Sequence, residues 1–381
     1  MKRRIFNEGH EIFRSTMSKF VQTRIIPQYE EWEARHCVPR EMWLEAGREG
    51  LLCPTAEEKY GGLNADFIYS MIIMEELSSQ GVPGFFLPLH NDIVFPYLQK
   101  YANEEQKGRW IPGCITGENI LAVAMTEPDV GSDLVHLQTK AFRDGDHYVV
   151  NGSKTFISNG QLANLVVVAV RTDPDNPSFH KGISLLVVET ETPGFSRGRN
   201  LEKIGLQAQD TSEMFFEDCR VPVKNLLGRE GEGFKYLMES LQQERLVLAI
   251  GAAAAAVGAL RVTLDYVKER KLFGTTLGKL QNTRFTLAEV ATQVQLGQTF
   301  LDELVLRHMA GERLVKEVSM AKYWVSEMQF EVAHRCLQLF GGYGYMKEYL
   351  ISRFFVDGRV QSIYGGANEV MKELIARELG L

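Results

Sequence analysis

Apolar positions in the first third of the chain recur at helical spacing. Phe13, Phe20, Val21 and Ile25 set the pattern, and Glu41 to Gly50 and Asp66 to Gln80 continue it. Pro27, Pro54 and the Gly61-Gly62 pair punctuate these helices. The period then changes. Ala141 to Ser158 alternates and contains Asp144-Gly145-Asp146, a hairpin signal, and Leu165 to Val170, Ile183 to Glu189 and Glu213 to Phe216 read as further short strands. With Gly and Pro between them, these runs predict a compact β-barrel or sandwich. From about Gly233 the chain is helical again, over roughly 233–271, 281–310 and 313–340, and long helices joined by short loops form bundles. No Gly-x-Gly-x-x-Gly follows a predicted strand, so a doubly wound dinucleotide fold is not expected.

Composition narrows the function classes. The chain is 45% hydrophobic and 24% charged, as in a globular protein, and its net charge of -7 argues against a broad nucleic-acid surface. A local basic site for the phosphates of a nucleotide-bearing substrate remains compatible with that balance. The longest uncharged run, Leu246 to Leu260, falls short of the roughly 20 apolar residues that span a bilayer, so no stable membrane insertion is expected. Lys2-Arg3-Arg4 is followed by Glu8, His10 and Glu11 instead of an apolar signal core. The expected location is cytoplasmic, or the mitochondrial matrix if a presequence has been removed. Cys37, Cys53, Cys114, Cys219 and Cys336 are scattered without metal spacing and read as reduced thiols, with no metal site.

The stretch Ala-Met-Thr-Glu-Pro-Asp-Val-Gly-Ser-Asp, residues 124–133, carries the most chemistry. The hydroxyls of Thr126 and Ser132 lie on a tight path set by Pro128 and Gly131, which suits a polar or anionic ligand. Taken alone, it reads equally well as a polar turn after Ile120–Ala124. Two further blocks, Phe156-Ile157-Ser158-Asn159-Gly160 and the QLFGGYGY run from Gln338 to Tyr345, break the tie. Together the three segments resemble the flavin-contacting segments of the acyl-CoA dehydrogenase family, in order and spacing. The resemblance runs from Arg3-Arg4-Ile5-Phe6 to the Met371–Arg377 tail, essentially the whole chain.

The resemblance implies a fold and a reaction. The fold is mostly α with a central β domain: an N-terminal helical domain (1–120), a middle β-barrel (121–227) and a C-terminal four-helix bundle (228–381). The reaction is FAD-dependent α,β-dehydrogenation of an acyl-CoA thioester to a trans-2-enoyl-CoA. The implied assembly is a homotetramer, a dimer of dimers, that passes electrons to an electron-transfer flavoprotein. In many members the proton-abstracting carboxylate lies near the C-terminus, in a Tyr-Glu-Gly-Thr segment. Here that segment is Tyr364-Gly365-Gly366-Ala367, with no carboxylate. The long-chain and isovaleryl branches instead carry the base on the first bundle helix, in a Glu-Arg-Leu segment, which matches Glu244 in Gln243-Glu244-Arg245-Leu246. Such a base needs a pKa raised by desolvation. The backbone N–H of Gly365 would survive as a donor to the thioester oxygen.

Further roles carry over residue by residue. Met125, Thr126 and Ser132 would line the flavin or the start of the substrate site, and Phe156, Ile157 and Ser158 the reactive ring edge. Arg270 resembles an arginine that meets the FAD pyrophosphate across a subunit interface, with Phe273 and Gln281 following as in the family. Gln338, Leu339, Gly341 and Gly342 resemble the adenosine-side contacts. Ala367, Asn368 and Glu369 fall in another FAD segment, where Ala367 replaces a usual Thr. Arg245, Tyr266, Tyr364, Gly365 and Gly366 match substrate-side positions. On the helix of Glu244, the same face carries Leu248, Gly251 and Ala255, which reads either as a groove for an extended acyl chain or as close helix packing. A medium or long straight-chain substrate is expected, the alternatives being a branched-chain, isovaleryl-like enzyme or a non-catalytic acyl-CoA or flavin-binding protein.

Overall fold

The computed structural model describes residues 3–381. Six helices come first: α1 (Glu8–Phe20), α2 (Ile26–Arg35), α3 (Arg40–Arg48), α4 (Phe67–Ser79), α5 (Phe95–Tyr101) and α6 (Glu104–Thr116). Asn7 caps α1 by accepting from His10 N at 2.9 Å, and His10 in turn meets Asp66, which caps α4 through Ile68 N at 2.9 Å. One short network thus fixes the starts of two helices against each other. Arg3 and Arg14 add ion pairs to Glu75 and Glu76 on α4.

Pro27 does not break the first helix as the sequence suggests. A wider π turn, Val21–Ile25, runs straight into α2, with Pro27 in its first turn, where a missing N–H costs no hydrogen bond. The same device recurs at Leu89–Val94, a π turn leading into α5 with Pro96 in the first turn.

The middle strands are β1 (Leu121–Ala124), β2 (Lys140–Asp144), β3 (His147–Ser158), β4 (Leu165–Arg171), β5 (Ile183–Glu189), β6 (Phe195–Asn200), β7 (Thr211–Pro222) and β8 (Leu226–Leu227). The expected hairpin closes at Asp144↔His147, and Gly145 supplies the positive φ, 61°, that the turn requires. The pairing order is β6-β7-β3-β2-β4-β5-β8, with β1 parallel to β4. β2 touches β4 only at Lys140↔Arg171, so the sheet folds over at that point around Val150, Val166, Val168, Leu186, Met214 and Phe216. Its pairing path ends on β6 and β8. Among the described residues no pairing closes it into the expected barrel, because the short β8 is bound only to β5.

The last part comprises α7 (Gly233–Glu269), a small hairpin at 271–276, α8 (Gln281–Met309), α9 (Val315–Phe340), α10 (Leu350–Gly358) and α11 (Asn368–Glu378). α7 packs against α9, α8 and α4 and carries the run Leu246–Ala256 fully inside. By length and composition α7 could cross a membrane, but 78% of its apolar window is buried within the protein, as befits a core helix.

Candidate active site

A cleft of about 1240 Å³ opens where α7, the sheet and the segments around α5 and α11 converge. One wall is built by Met125, Thr126, Phe156, Ile157 and Ser158, and Glu244, Arg245, Leu248 and Tyr364–Gly366 also line it. The sequence-predicted catalytic pair, Glu244 and Gly365, is therefore brought into one cavity by helices and loops far apart in the chain.

The first wall is held from behind by a buried ion pair. Lys154 Nζ donates to Glu127 Oε1 at 2.8 Å, and Glu127 also accepts from Thr139 N at 2.9 Å. The same ammonium donates to Met125 O at 3.2 Å, and Thr155 N donates to Thr126 O at 2.9 Å. Burial pulls the Lys154 ammonium down to about 8, against the opposing pull of Glu127, whose own carboxyl stays below the usual range through that partner. Between Lys154 and Ile157 the β3–β7 register shifts, and Phe156 takes φ 59° with its ring 67% exposed. The bulge re-aims this side chain into the cleft.

Glu244 is buried at 6% exposure and accepts a hydrogen bond from the Tyr97 hydroxyl at 2.7 Å. Burial pushes its carboxyl up to about 7, while Tyr97 and Arg245 oppose that rise. The Arg245 Nε donates to Gly365 O at 3.4 Å, and Lys322 Nζ donates to Gly366 O at 2.6 Å. The two cations thus pin the 365–366 segment by its carbonyls. Gly365 has φ 62°, and a Cβ there would come within 2.2 Å of Leu248 Cδ1. Leu248 fills the space that a side chain at 365 would need, so glycine at 365 and the position of α7 are one arrangement.

Other predicted residues lie elsewhere. Arg270, Phe273, Gln281, Gln338, Gly341 and Gly342 are exposed and do not line the cleft. They gather at the end of the bundle, where the Arg270 guanidinium lies over the Tyr343 ring at 5.2 Å and Leu339 packs on Val267, Leu277 and Leu287. Tyr266, read as substrate-side, is not in the cleft: its ring stacks on Phe340 at 4.0 Å, because α7 carries it more than five turns beyond Glu244. Asn368 is buried, with its amide tied to Lys322 and Ser326. Ala367 caps α11 and Glu369 is exposed. The groove along α7 is absent as well. A Cβ on Gly251 would meet Met74 Cε at 1.9 Å, and Ala255 faces a separate void, so only Leu248 of that face reaches the cleft. The small residues let α4 and α7 approach.

Several site residues had no sequence signal. Tyr97, Lys154, Glu127, Asp92 and His308 are ordinary residues in the chain, made site residues by non-local contact. Glu244 was legible only through the resemblance.

The cavity suits a flavin. A large aromatic side chain left exposed on a concave wall, beside the hydroxyls of Thr126 and Ser158, offers one face to a planar ring and polar contacts to its edge. At the bundle end, a Cβ on Gly341 or Gly342 would meet nothing within 4 Å, which leaves bare backbone open to a ligand.

Comparison with known proteins gives the class. Family models described as the acyl-CoA dehydrogenase N-terminal, middle and C-terminal domains match residues 7–118, 122–219 and 231–380. The chain belongs to the acyl-CoA dehydrogenase family and is an FAD-dependent oxidoreductase of that family. It is 47% identical to the mitochondrial long-chain specific acyl-CoA dehydrogenase of Sus scrofa, over 99% of this chain and 88% of that protein. It is 34% identical to the mitochondrial isovaleryl-CoA dehydrogenase of Solanum tuberosum, over 98% and 91%. Among solved structures, an acyl-CoA dehydrogenase from Geobacillus kaustophilus superposes with a TM-score of 0.97 at 54% identity, covering 99% of this chain and 100% of that one. A glutaryl-CoA dehydrogenase from Mycobacterium smegmatis in complex with FADH2 gives 0.92 at 28% identity, covering 99% and 95%. A structure described as the electron transferring flavoprotein of Acidaminococcus fermentans gives 0.94 at 33% identity, covering 98% of each.

Proposed function

We propose that this acyl-CoA dehydrogenase uses Glu244 as the base that removes the α-proton of the thioester, and that its substrates are long straight-chain acyl-CoAs. One observation carries the reading: Glu244 is buried, lines the cleft that Gly365 also lines, and carries a raised pKa, while its neighbour Arg245 holds Gly365 O. Bound FAD supplies the acceptor for the β-hydrogen as hydride. The chain's own part is to hold the acyl group between the two walls and exclude water. The thioester oxygen would sit at the Gly365 backbone N–H, so that charge developing at Cα is stabilised as Glu244 takes the proton. Arg245 and Lys322 keep that segment in place.

The 47% identity to a long-chain enzyme, against 34% to an isovaleryl enzyme, supports the straight-chain preference. The exposed group around Arg270 and Gln338 is assigned to FAD reached from a second copy, in a homotetramer. The electron acceptor is assigned as an electron-transfer flavoprotein.

Anaerobic titration with palmitoyl-CoA and isovaleryl-CoA, following flavin absorbance, tests the substrate. Bleaching by palmitoyl-CoA is expected; bleaching by isovaleryl-CoA alone would move the enzyme to the branched-chain side. Glu244→Gln tests the base. It should keep FAD and acyl-CoA binding and lose about 10²–10⁴-fold in turnover, whereas unchanged turnover would remove Glu244 from the mechanism.

A further inference from the structure

Two buried cations converge on the 365–366 segment, and neither touches a carboxylate. Lys322 on α9 is 1% exposed, and its ammonium donates to Gly366 O at 2.6 Å and to Asn368 Oδ1 at 3.0 Å, both uncharged acceptors. Arg245 on α7 is 8% exposed and lines the cleft. Its guanidinium carries five N–H donors but makes one long hydrogen bond, 3.4 Å to Gly365 O. The contrast within the same protein is Lys154, equally buried, which has the Glu127 carboxylate at 2.8 Å.

The carboxylates of the neighbourhood are engaged elsewhere. Glu327 faces Lys372 at 3.3 Å, Glu369 is exposed at the start of α11, and Glu244 accepts from Tyr97. Burial and the like charge of Arg245 pull Lys322 down to about 8, against the more remote Glu369, so it remains mainly an ammonium at neutral pH. The carboxylate that acts on Arg245 is Glu244, the base itself. Holding two like charges inside without a counter-ion is destabilising, and a negative charge arriving at the segment relieves it.

Resting on the placement of the thioester oxygen at the Gly365 N–H, we propose that Lys322 and Arg245 are the counter-charges for the negative charge that forms on that oxygen. In the step, the Cα–H bond breaks, its proton goes to Glu244, and the electron pair left behind delocalises onto the thioester oxygen. The carboxylate beside Arg245 is thereby neutralised as the oxygen at Gly365 becomes negative, so the two cations keep an anion within reach throughout. Charges fixed in place beforehand stabilise such an oxyanion without reorganisation, and do so more strongly where water is excluded. Lys322 does not line the cleft, so it is a positioning residue that acts through the segment and through its charge.

The probe is a long-chain 3-thia-acyl-CoA, whose sulfur in place of the β-carbon lets the α-proton leave with no β-hydride to follow. Flavin-loaded Glu244→Gln protein releases that proton to solvent. The half-ionisation pH of the bound probe, read from its long-wavelength charge-transfer absorbance with oxidised flavin, then reports the acidity of the ligand alone. Added to this parent, Lys322→Met and Lys322→Gln should raise the half-ionisation pH by about one unit, the low end of what an opposite charge nearby does to an acid. Lys322→Arg should leave it in place. Gln keeps a donor and Met does not, so equal shifts mark the charge and not the hydrogen bond; if the Met variant does not fold, Gln and Arg carry the comparison. With Glu244 intact, the neutral variants should slow flavin reduction by palmitoyl-CoA up to about tenfold, with KM near wild type. An unmoved half-ionisation pH in flavin-bound Lys322→Gln, an equal shift in Lys322→Arg, or loss of flavin from all three variants overturns the inference. So does a flavin midpoint potential that moves while the acidity of the probe does not, which would give the charges to the reduced flavin. A parent that binds the probe and shows no anion at any pH fails the placement of the thioester; an anion indifferent to Lys322 fails this inference alone.

Discussion

The Tyr97 hydroxyl donates to Glu244 Oε1 at 2.7 Å, joining a residue of α5 to one of α7 across 147 positions of sequence. The bond favours the ionised carboxylate while burial disfavours it, and burial is the larger influence. The group is left poised near neutrality, where a base is most useful.

The activity should therefore depend on pH with a defined sign. As base, Glu244 must be ionised, so kcat/KM should rise with pH and level off above about 7. Tyr97→Phe removes a donor to the charged form. The rising limb should move to higher pH by about one to two units, since a charge-assisted hydrogen bond contributes roughly 1.5–3 kcal/mol. A limb unmoved in the pH–rate profile would show that Tyr97 does not tune the base.

Stability has the opposite pH sign at this site. The folded-state pKa of about 7 lies above the ordinary carboxyl value of 4.5, so folding prefers protonated Glu244. Below 4.5 the group is protonated in both states and costs nothing; the cost grows as pH rises through that window and is complete above about 7. Glu244→Gln removes it, and chemical denaturation of the variant against wild type should show a gain at pH 8 that fades by pH 5.

Gly365 cannot simply regain the carboxylate that many relatives carry there. With φ 62° and Leu248 Cδ1 at 2.2 Å from a built Cβ, Gly365→Ala should destabilise by about 1–3 kcal/mol. Leu248→Ala in the same chain should reduce the cost of the Gly365 change. A double-mutant cycle on denaturation midpoints measures the coupling, and additive effects would show that the two residues do not compete for space.

Lys154→Met leaves Glu127 buried without its cation. The expected loss is about 3–5 kcal/mol, together with weaker FAD retention, because Lys154 also holds Met125 O. Urea melts and the flavin content of the purified protein check both.

Gly251→Val distinguishes helix packing from an acyl groove. Because a Cβ there meets Met74 Cε at 1.9 Å, the variant should lose about 1–3 kcal/mol and keep its chain-length profile. A shortened acyl preference would restore the groove.

The α, β, α order was legible in the chain because helical and strand periods differ, and each reports burial along one element. The hairpin at Gly145 was equally local. The π turns were not, since prolines at 27 and 96 read as breaks until the chain is seen accommodating them within continuous helices. The open pairing of the sheet escaped the sequence for a similar reason: strand patterns state which face is buried, not whether the last strand finds the first.

For the site, sequence supplied the family segments, and with them Met125, Thr126, Phe156 and the substitution of Gly365 paired with Glu244. Tertiary structure decided what surrounds them. A glutamate becomes a base only when desolvated, and what desolvates Glu244 are α5 and the loop at 365, distant in the chain. The partners of Glu244, the ion pair behind Met125 and the stacking that removes Tyr266 from the cleft are all non-local contacts. A linear pattern records the period of one element; it does not record which elements meet, and the electrostatics of this cleft depend on that meeting.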